Sequence, residues 1–280
     1  MPVRVWSKLI ATNREDDWVR RLSRIGPERI AVTTKPGSKT ARIDAYVLSQ
    51  KEARALEREF GGRVRRLSDR TIASQPAPRA PIRVRDRLLV VSSERERIHC
   101  TRKFPGRKIV LLPAGMAFGT GEHATTATCL RFLSDSAVGF DGKPWDLLDL
   151  GTGSGLLAIA AKMLGASDVL ALDFDPACVR IARENALANN MHITVKGADV
   201  THWRPPRSWR IVTANLYSEV LIGAAETIAG ATEPGGTLIF SGVLRQQEKE
   251  CVRAFNSCAF TLEKVVRKGK WVTVKMTRRS

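Results

Sequence analysis

The feature that most constrains this chain is a glycine-rich turn between a short apolar run and a helical pattern. The turn, Asp149-Leu150-Gly151-Thr152-Gly153-Ser154-Gly155, follows the apolar run Trp145–Leu150 and precedes the helical pattern Leu156–Leu164. Glycines at such a junction let the backbone turn tightly and let a ligand approach it closely at the carboxyl edge of a sheet. The turn therefore predicts an α/β fold with a ligand site at this edge.

The chain around this turn alternates between helical and extended patterns. Apolar strands separated by helices predict a parallel sheet covered on both faces, which is a doubly wound α/β domain. Near the C-terminus, Thr261–Val266 and Trp271–Thr277 flank a Lys268-Gly269 turn and predict a hairpin, hence an antiparallel edge. The other predicted strands are Val169–Leu172, Ile193–Lys196, Arg210–Ala214 and Thr237–Ser241, and the predicted helices are Ala124–Leu133, Ala177–Asn189 and two that begin near Glu219 and Gln246.

The first 72 residues predict a separate small α+β domain. Their order of elements, βαββαβ, is that of a ferredoxin-like sandwich. We expect residues 73–107, which include the proline-rich Ser74–Pro81 and the strand candidate Ile82–Val91, to be a linker and connecting strand, and residues 108–280 to form the second domain. The predicted elements of the first domain are Val3–Ala11, Arg14–Ile25, Arg29–Thr34, Ala41–Leu48, Gln50–Phe60 and Arg63–Leu67.

Composition narrows the class of protein. The five cysteines form no Cys-x-x-Cys pair, which argues against a disulfide framework and against a zinc knuckle. The N-terminus lacks the apolar core of a signal peptide, and no run reaches the roughly 18 apolar residues of a membrane helix. We therefore expect a soluble, cytoplasmic protein that binds neither a membrane nor a metal.

The net charge of +18 is concentrated at the two ends of the sequence. Residues 1–110 hold 27 Lys/Arg against 12 Asp/Glu, whereas residues 111–260 hold 12 against 15 and the last twenty hold 7 against 1. Such flanks favour contact with RNA, a ribosomal particle or another acidic surface. Because 32 of the 46 basic residues are arginine, an arginine-rich proteome explains the charge equally well. Aromatic side chains that could stack on RNA bases before the linker are Trp6, Trp18, Tyr46 and Phe60.

The glycine spacing and the nearby carboxylates indicate which kind of nucleotide the site could bind. A dinucleotide fingerprint, G-x-G-x-x-G, would place its third glycine at Leu156, so this kind of site is disfavoured. Asp149 precedes the glycines, where a carboxylate could receive a ligand ammonium group such as that of methionine. Asp173 ends the next predicted strand, 22 residues after Gly151, and suits hydrogen bonds to two ribose hydroxyls.

Two further aspartates have simpler interpretations. Asp175 precedes Pro176 and fits the N-cap of the following helix. Asp199 follows the third predicted strand, where it could contact the amino group of adenine or equally stabilise a turn.

Four segments taken together are more specific than the glycine turn. They are Phe118–Thr126, which reads F-G-T-G-E-H-A-T-T, then Asp149–Gly155, Ala214–Leu216 and Ser241–Leu244. In this combination the chain resembles the ribosomal protein L11 methyltransferase (PrmA) family of class I S-adenosylmethionine-dependent methyltransferases. The resemblance implies a doubly wound seven-stranded Rossmann-like domain behind a substrate-recognition domain. It also implies a protein-lysine and α-amine N-methyltransferase acting on ribosomal protein L11.

The resemblance also implies roles for individual residues. By motif position, Thr126, Gly151, Asp173 and Asn215 would contact S-adenosylmethionine, and the Phe118–Thr126 loop would close over its methionine end. Asn215 would in addition be the catalytic residue whose carboxamide oxygen accepts an amine N–H and aims the nitrogen lone pair at the methyl group. A cap on the following helix is the alternative role for Asn215.

Departures from the family pattern leave the substrate open. Ala124 stands where the family usually has proline, and residues 1–72 match the family in pattern more than in residues. RNA or another protein is therefore the alternative substrate for the same chemistry.

We expect a monomer, and we expect His123 to order its loop rather than act as a base. Tyr217 fits either an aromatic wall of the site or the core.

Overall fold

The computed structural model describes residues 4–22, 25, 29–34, 38–47, 49–66, 80–113, 121, 123–140 and 142–280. The chain divides into two compact units, Met1–Ala77 and Pro78–Ser280. Within the described residues, no helix combines the length and the apolar character that a membrane span requires.

The first unit is built on a four-stranded antiparallel sheet with the order β2-β3-β1-β4. The predicted order of elements, βαββαβ, is present, and side chains of both helices pack into one core. This strand order with two helices is the ferredoxin-like arrangement. The elements are β1 (Arg4–Ala11), α1 (Glu15–Arg21), β2 (Ile30–Thr34), β3 (Thr40–Val47), α2 (Gln50–Phe60) and β4 (Arg63–Arg66).

The aromatic side chains of the first unit form its core. Trp6 is fully buried and Trp18 is 8% exposed, and their ring centres lie 6.3 Å apart. Phe60 packs against both rings at 6.2 and 5.6 Å. Rings held in this way contribute hydrophobic burial and cannot serve as open platforms for RNA bases.

Residues 82–111 form a folded part of the second unit, although the sequence predicts a linker and connecting strand over 73–107. β5 (Ile82–Val84), β6 (Leu88–Val91) and β7 (Lys108–Leu111) make a three-stranded sheet, with α3 (Glu94–Lys103) between the last two strands. The candidate strand Ile82–Val91 is interrupted because Arg85 turns the chain with a φ of 51°. Most of the proline-rich linker, residues 74–79, lies outside the described residues.

The main sheet of the second unit has seven strands in the order β10-β9-β8-β11-β12-β14-β13. The first five run parallel, and β14 runs antiparallel to both β12 and β13, so the predicted hairpin forms the antiparallel edge. The strands are β8 (Asp146–Leu150), β9 (Asp168–Asp173), β10 (Thr194–Gly197), β11 (Trp209–Asn215), β12 (Thr232–Leu244), β13 (Phe260–Lys268) and β14 (Trp271–Arg278).

Helices cover both faces of this sheet. One buried cluster joins the sheet to α4 (Ala124–Val138), α5 (Leu156–Met163) and α6 (Pro176–Ala188). A second cluster joins its other face to α7 (Ser218–Gly223), α8 (Ala225–Ala231) and α9 (Glu248–Ser257). The predicted doubly wound α/β fold is therefore confirmed.

The strand order reverses between β8 and β11, which are paired neighbours. In open α/β sheets ligands bind outside the carboxyl ends of the strands at such a switch point. Here the carboxyl ends bring together the glycine turn after β8, Asp173 at the end of β9 and Asn215 at the end of β11. The three predicted segments of the site therefore meet at one edge.

Candidate functional site

The glycine turn is bonded to the end of the neighbouring strand β9. Gly151, Gly153 and Gly155 have φ values of +68°, +54° and +81°, a region that residues with a side chain rarely adopt. Thr152 donates its backbone N–H to the carbonyl of Leu172 at 2.9 Å, which ties the turn to β9. The turn is thus a preformed loop at the sheet edge.

Glycine is required at two positions because Leu216 passes between them. A Cβ atom at Gly151 would lie 2.3 Å from Cδ2 of Leu216, and one at Gly242 would lie 2.1 Å from its carbonyl oxygen. Gly242 belongs to the Ser241–Leu244 segment identified in the sequence. The two glycines therefore let the backbone that carries Asn215 and Leu216 approach the turn.

Asp149 serves the turn itself and does not face an open ligand space. Its side chain is 1% exposed, and its two oxygens accept hydrogen bonds from the hydroxyls of Thr152 and Thr213, each at 2.6 Å. Burial, with the charge of Asp173 as a lesser cause, raises the pKa of Asp149 to about 6. The predicted contact of Asp149 with a ligand ammonium group is not available in this geometry.

Asp173 has acceptor capacity left after holding the turn. Its Oδ2 accepts the backbone N–H of Gly153 at 2.8 Å, and its Oδ1 accepts that of Asp175 at 3.0 Å. A carboxylate offers about four lone-pair sites, so acceptor capacity remains beside the backbone hydrogen bonds. Burial raises the pKa of Asp173 above its ordinary value, although the backbone bonds oppose this. The position suits two ribose hydroxyls, as the sequence predicts.

The neighbouring aspartates behave as helix and turn residues. Asp175 accepts the backbone N–H of Ala177 at 2.8 Å and is the N-cap of α6, as predicted. Asp199 accepts the backbone N–H and the hydroxyl of Thr201 at 2.9 and 2.7 Å, which is the turn role. Phe174, between Asp173 and Asp175, is 75% exposed, and the sequence analysis did not single it out.

Asn215 is held by the threonine pair at the start of α4. Its Nδ2 lies 3.3 Å from the hydroxyl oxygens of Thr125 and Thr126, both of which are buried. Its Oδ1 is buried, and none of the described residues donates a hydrogen bond to it. A buried acceptor without a donor costs free energy unless a ligand supplies one. Asn215 therefore presents a carboxamide oxygen that can accept an N–H.

His123 fixes the direction of these hydrogen bonds. Its Nδ1 accepts the backbone N–H of Thr125 at 3.4 Å, so this nitrogen carries no proton. In this tautomer the Thr125 hydroxyl, 2.7 Å from the same nitrogen, donates to it and can accept from Asn215. Burial, together with the nearby charge of Lys270, lowers the pKa of His123 and favours its neutral form. The ring also packs edge-on against Trp271 at 5.0 Å.

The structure adds Thr125 to the predicted residues and leaves part of the loop undescribed. The doublet Thr125-Thr126 was visible in the sequence, but only the second threonine was assigned a contact. Phe118, Gly119, Thr120 and Glu122 lie outside the described residues, so closure of the loop over a cofactor stays a prediction. Tyr217 is 55% exposed and is not a core residue.

The described residues also offer no group of three or more His, Cys, Asp or Glu side chains that could hold a metal ion.

Comparison with known proteins places these features in one family. The family model described as "Ribosomal protein L11 methyltransferase (PrmA)" matches residues 38–279. The ribosomal protein L11 methyltransferase of Citrifermentans bemidjiense is 39% identical over 181 residues, covering 63% of this chain and 57% of that protein. The corresponding protein of Listeria welshimeri is 36% identical over 196 residues, covering 69% and 60%. The chain thus spans somewhat more than half the length of these relatives.

A solved structure supports the same comparison. The crystal structure of ribosomal protein L11 methylase from Lactobacillus delbrueckii subsp. bulgaricus superposes with a TM-score of 0.62 at 27% identity. The superposition covers 71% of this chain and 99% of that one.

Proposed function

The chain belongs to the ribosomal protein L11 methyltransferase (PrmA) family, and from this premise we propose that it is an S-adenosylmethionine-dependent protein N-methyltransferase. Its proposed substrate is ribosomal protein L11, modified at lysine and α-amino nitrogens. The observation that carries the proposal is the meeting of two acceptors at one sheet edge: the partly used carboxylate of Asp173 and Oδ1 of Asn215, to which no described residue donates a hydrogen bond.

The residues at this edge fit the proposed cofactor. Asp173 can accept two ribose hydroxyls, and the glycine turn presents backbone without a side chain at Gly151. Phe174 offers an exposed ring beside Asp173, where the flat face of an adenine can pack. Thr126, adjacent to Asn215, is the proposed contact for the methionine end. S-adenosylmethionine supplies a methyl group on a positively charged sulfur.

The acceptor nitrogen must lose a proton before it can attack. A lysine ammonium has no lone pair, and its pKa near 10.4 means that forming the neutral amine at pH 7 costs roughly 4–5 kcal/mol. A dry site beside a positive sulfur lowers that pKa, so the proton can leave to solvent before transfer. Asn215 Oδ1 then accepts a remaining N–H and directs the lone pair, while the amide takes no proton itself.

The remaining assignments belong to the same proposal. Residues 1–72 hold the substrate protein, and the second unit, which includes the folded residues 82–111, holds the cofactor, in a cytoplasmic monomer without a resident metal. The separate cores of the two units support this division of labour. RNA as the methylated substrate is the less favoured alternative, because Trp6 and Trp18 are buried in the core of the first unit.

The proposal is tested by incubating the protein with methyl-labelled S-adenosylmethionine and purified ribosomal fractions. We expect label in ribosomal protein L11. Label in RNA would instead support the alternative substrate. Intact binding of S-adenosylhomocysteine without any transfer would indicate a binding protein on a methyltransferase scaffold. The matched variant is Asn215→Ala, which we expect to lose more turnover than cofactor affinity.

A further inference from the structure

Positive charge in the second unit is concentrated on two segments, residues 83–108 and the last twenty residues, and the first of these lies beside a groove. This segment contains nine Lys/Arg and three Asp/Glu residues, which lie on β5, on α3, on the first residue of β7 and in the turns that follow β5 and α3. Nine of the 27 Lys/Arg residues that the sequence shows for the first 110 positions therefore lie in this one folded segment.

Most of this charge is not neutralised. Three of the nine cations form ion pairs with carboxylates, at N–O distances of 2.6–2.8 Å: Arg85–Asp135, Arg97–Glu94 and Arg107–Asp86. No carboxylate among the described residues forms an ion pair with the other six, which are all exposed: Arg83, Arg87, Arg95, Arg102, Lys103 and Lys108. The field of these side chains is therefore available to an anionic partner.

A shallow groove of about 490 Å³ lies beside this segment. It combines charged side chains with apolar ones, since four of its lining residues are cationic and three are apolar. The cationic residues are Arg97, Arg107, Lys108 and Lys162, and the apolar ones are Ile109, Met163 and Met191. Lys162 donates to the carbonyl of Ser167 at 2.6 Å, which orients its ammonium group without cancelling the charge.

A second cationic feature adjoins the groove. The charged groups of Arg83, Lys103 and Arg107 lie 5.1, 5.7 and 5.5 Å from the centre of the Phe104 ring. Arg107 also lines the groove, so the two features are continuous. Arg107 is paired with Asp86, whereas Arg83 and Lys103 form no ion pair with a described carboxylate, so the charge of these two is available to an anion.

The strand edge at this surface favours a nucleic-acid backbone over a peptide that would pair with it as an added strand. β7 is the outer strand of its sheet, but the side chain of Asn189 accepts the backbone N–H of Leu111 at 2.8 Å and donates to its carbonyl at 2.7 Å. This seals the strand edge at Leu111 against pairing with a peptide. A nucleic acid needs no strand edge, because repeated phosphates meet the cations while bases and sugars contact apolar surface.

We propose that the groove and the adjoining Phe104 cluster bind the phosphodiester backbone of single-stranded RNA. The choice of RNA rests on the proposed function, because ribosomal proteins are partners of RNA. The binding itself requires neither the cofactor nor methyl transfer, so it can be measured independently.

The test uses the full chain and a fluorescein-labelled single-stranded oligoribonucleotide of about 20 nucleotides. Fluorescence anisotropy is followed over a series of KCl concentrations. We expect affinity to fall with salt and Lys108→Gln/Lys162→Gln to weaken binding about tenfold. For a single strand, each neutralised phosphate adds about 0.7 to the magnitude of the negative slope of log K against log salt. Loss of two lysines should therefore reduce this magnitude by about 1.4.

The matched control is Lys249→Gln/Lys264→Gln, which removes equal charge from α9 and β13. We expect this variant to bind RNA as the wild type does, and thermal unfolding checks that both variants are folded. Absence of RNA binding at low salt, or unchanged binding by Lys108→Gln/Lys162→Gln, would overturn the proposal. Tighter binding of a polyglutamate peptide than of the oligoribonucleotide would overturn the choice of a nucleic acid.

The outcome is separable from the proposed function. Transfer to ribosomal protein L11 without RNA binding would contradict only this inference. RNA binding without any methyl transfer would contradict only the methyltransferase assignment. We expect Lys108→Gln/Lys162→Gln to retain transfer to the free ribosomal protein, since neither lysine is part of the cofactor site.

Discussion

The Nδ2 group of Asn215 lies 3.3 Å from the hydroxyl oxygen of Thr125, and this contact decides which way the carboxamide faces. The Thr125 hydroxyl gives its proton to Nδ1 of His123, so its oxygen can only accept. If the carboxamide of Asn215 were rotated by 180° about its Cβ–Cγ bond, its oxygen would face the hydroxyl oxygen of Thr125, and neither atom would have a proton to donate. The oxygen of Asn215 is therefore directed away from the threonines.

Replacing Thr125 by valine tests this orientation, because valine keeps the shape and removes the hydroxyl. We expect Thr125→Val to lower kcat about tenfold or more, with little change in the affinity for S-adenosylhomocysteine. Thr125→Ser, which retains the hydroxyl, should stay close to the wild type. Steady-state kinetics and calorimetry on the three proteins check this. Turnover at the wild-type level in Thr125→Val would show that the hydroxyl does not orient Asn215.

Asp173→Ala tests the ribose assignment. Loss of the carboxylate removes the two acceptor positions left for the ribose hydroxyls, so we expect the Kd for S-adenosylhomocysteine to rise at least about tenfold. The control is Asp168→Ala at the opposite, amino end of β9, which should leave the Kd unchanged. Isothermal calorimetry measures both. Near-normal binding by Asp173→Ala would count against the assignment.

Gly151→Ala tests the packing of the turn against Leu216. The φ of +68° costs alanine about 1–2 kcal/mol, and the close approach of Leu216 adds an overpacking cost of about 1–3 kcal/mol. Gly142→Ala is the matched control, since Gly142 has a φ of +79° but nothing within 4 Å of the added Cβ. Denaturant unfolding should show a larger loss in the free energy of unfolding for Gly151→Ala than for Gly142→Ala. Equal losses would show that the packing of Leu216 does not require glycine at position 151.

Asp149 predicts a pH dependence of stability. Its folded-state pKa of about 6 lies above the ordinary value, so the folded protein keeps this proton where the unfolded chain has lost it. As the pH rises from about 4 to about 6, the free energy of unfolding of the wild type should therefore fall relative to that of Asp149→Asn, by up to about 1.4 kcal/mol per pH unit. Unfolding of both proteins across this range measures the difference. A difference that stays constant with pH would contradict it.

The parallel sheet was predictable because its strands are short apolar runs separated by helices. The run that ends at Leu150 and the one that ends at Leu172 are almost wholly buried, so burial on both faces left a plain signal in the sequence. α3 was missed because its first residues, Glu94 to Arg97, alternate in charge and Cys100 is its one buried residue. The only local signal was Ser93, which caps this helix and stands three residues before Glu96.

The partners of the site residues were less predictable than their positions. Asp149 was placed correctly beside the glycines, but its bond to Thr213 joins residues 64 apart and became visible only once β8 and β11 were paired. The same is true of Asn215 and Thr125, which lie 90 residues apart. A strand end predicts where a side chain lies, whereas its hydrogen bonds depend on which strands and helices become neighbours.

The most direct test is a crystal structure of the protein in complex with S-adenosylhomocysteine. We expect both ribose hydroxyls within hydrogen-bonding distance of the Asp173 carboxylate, and the ligand sulfur on the side of the site that Asn215 Oδ1 faces. A ligand bound elsewhere, or an edge of β8, β9 and β11 that remains filled by protein side chains, would contradict the account.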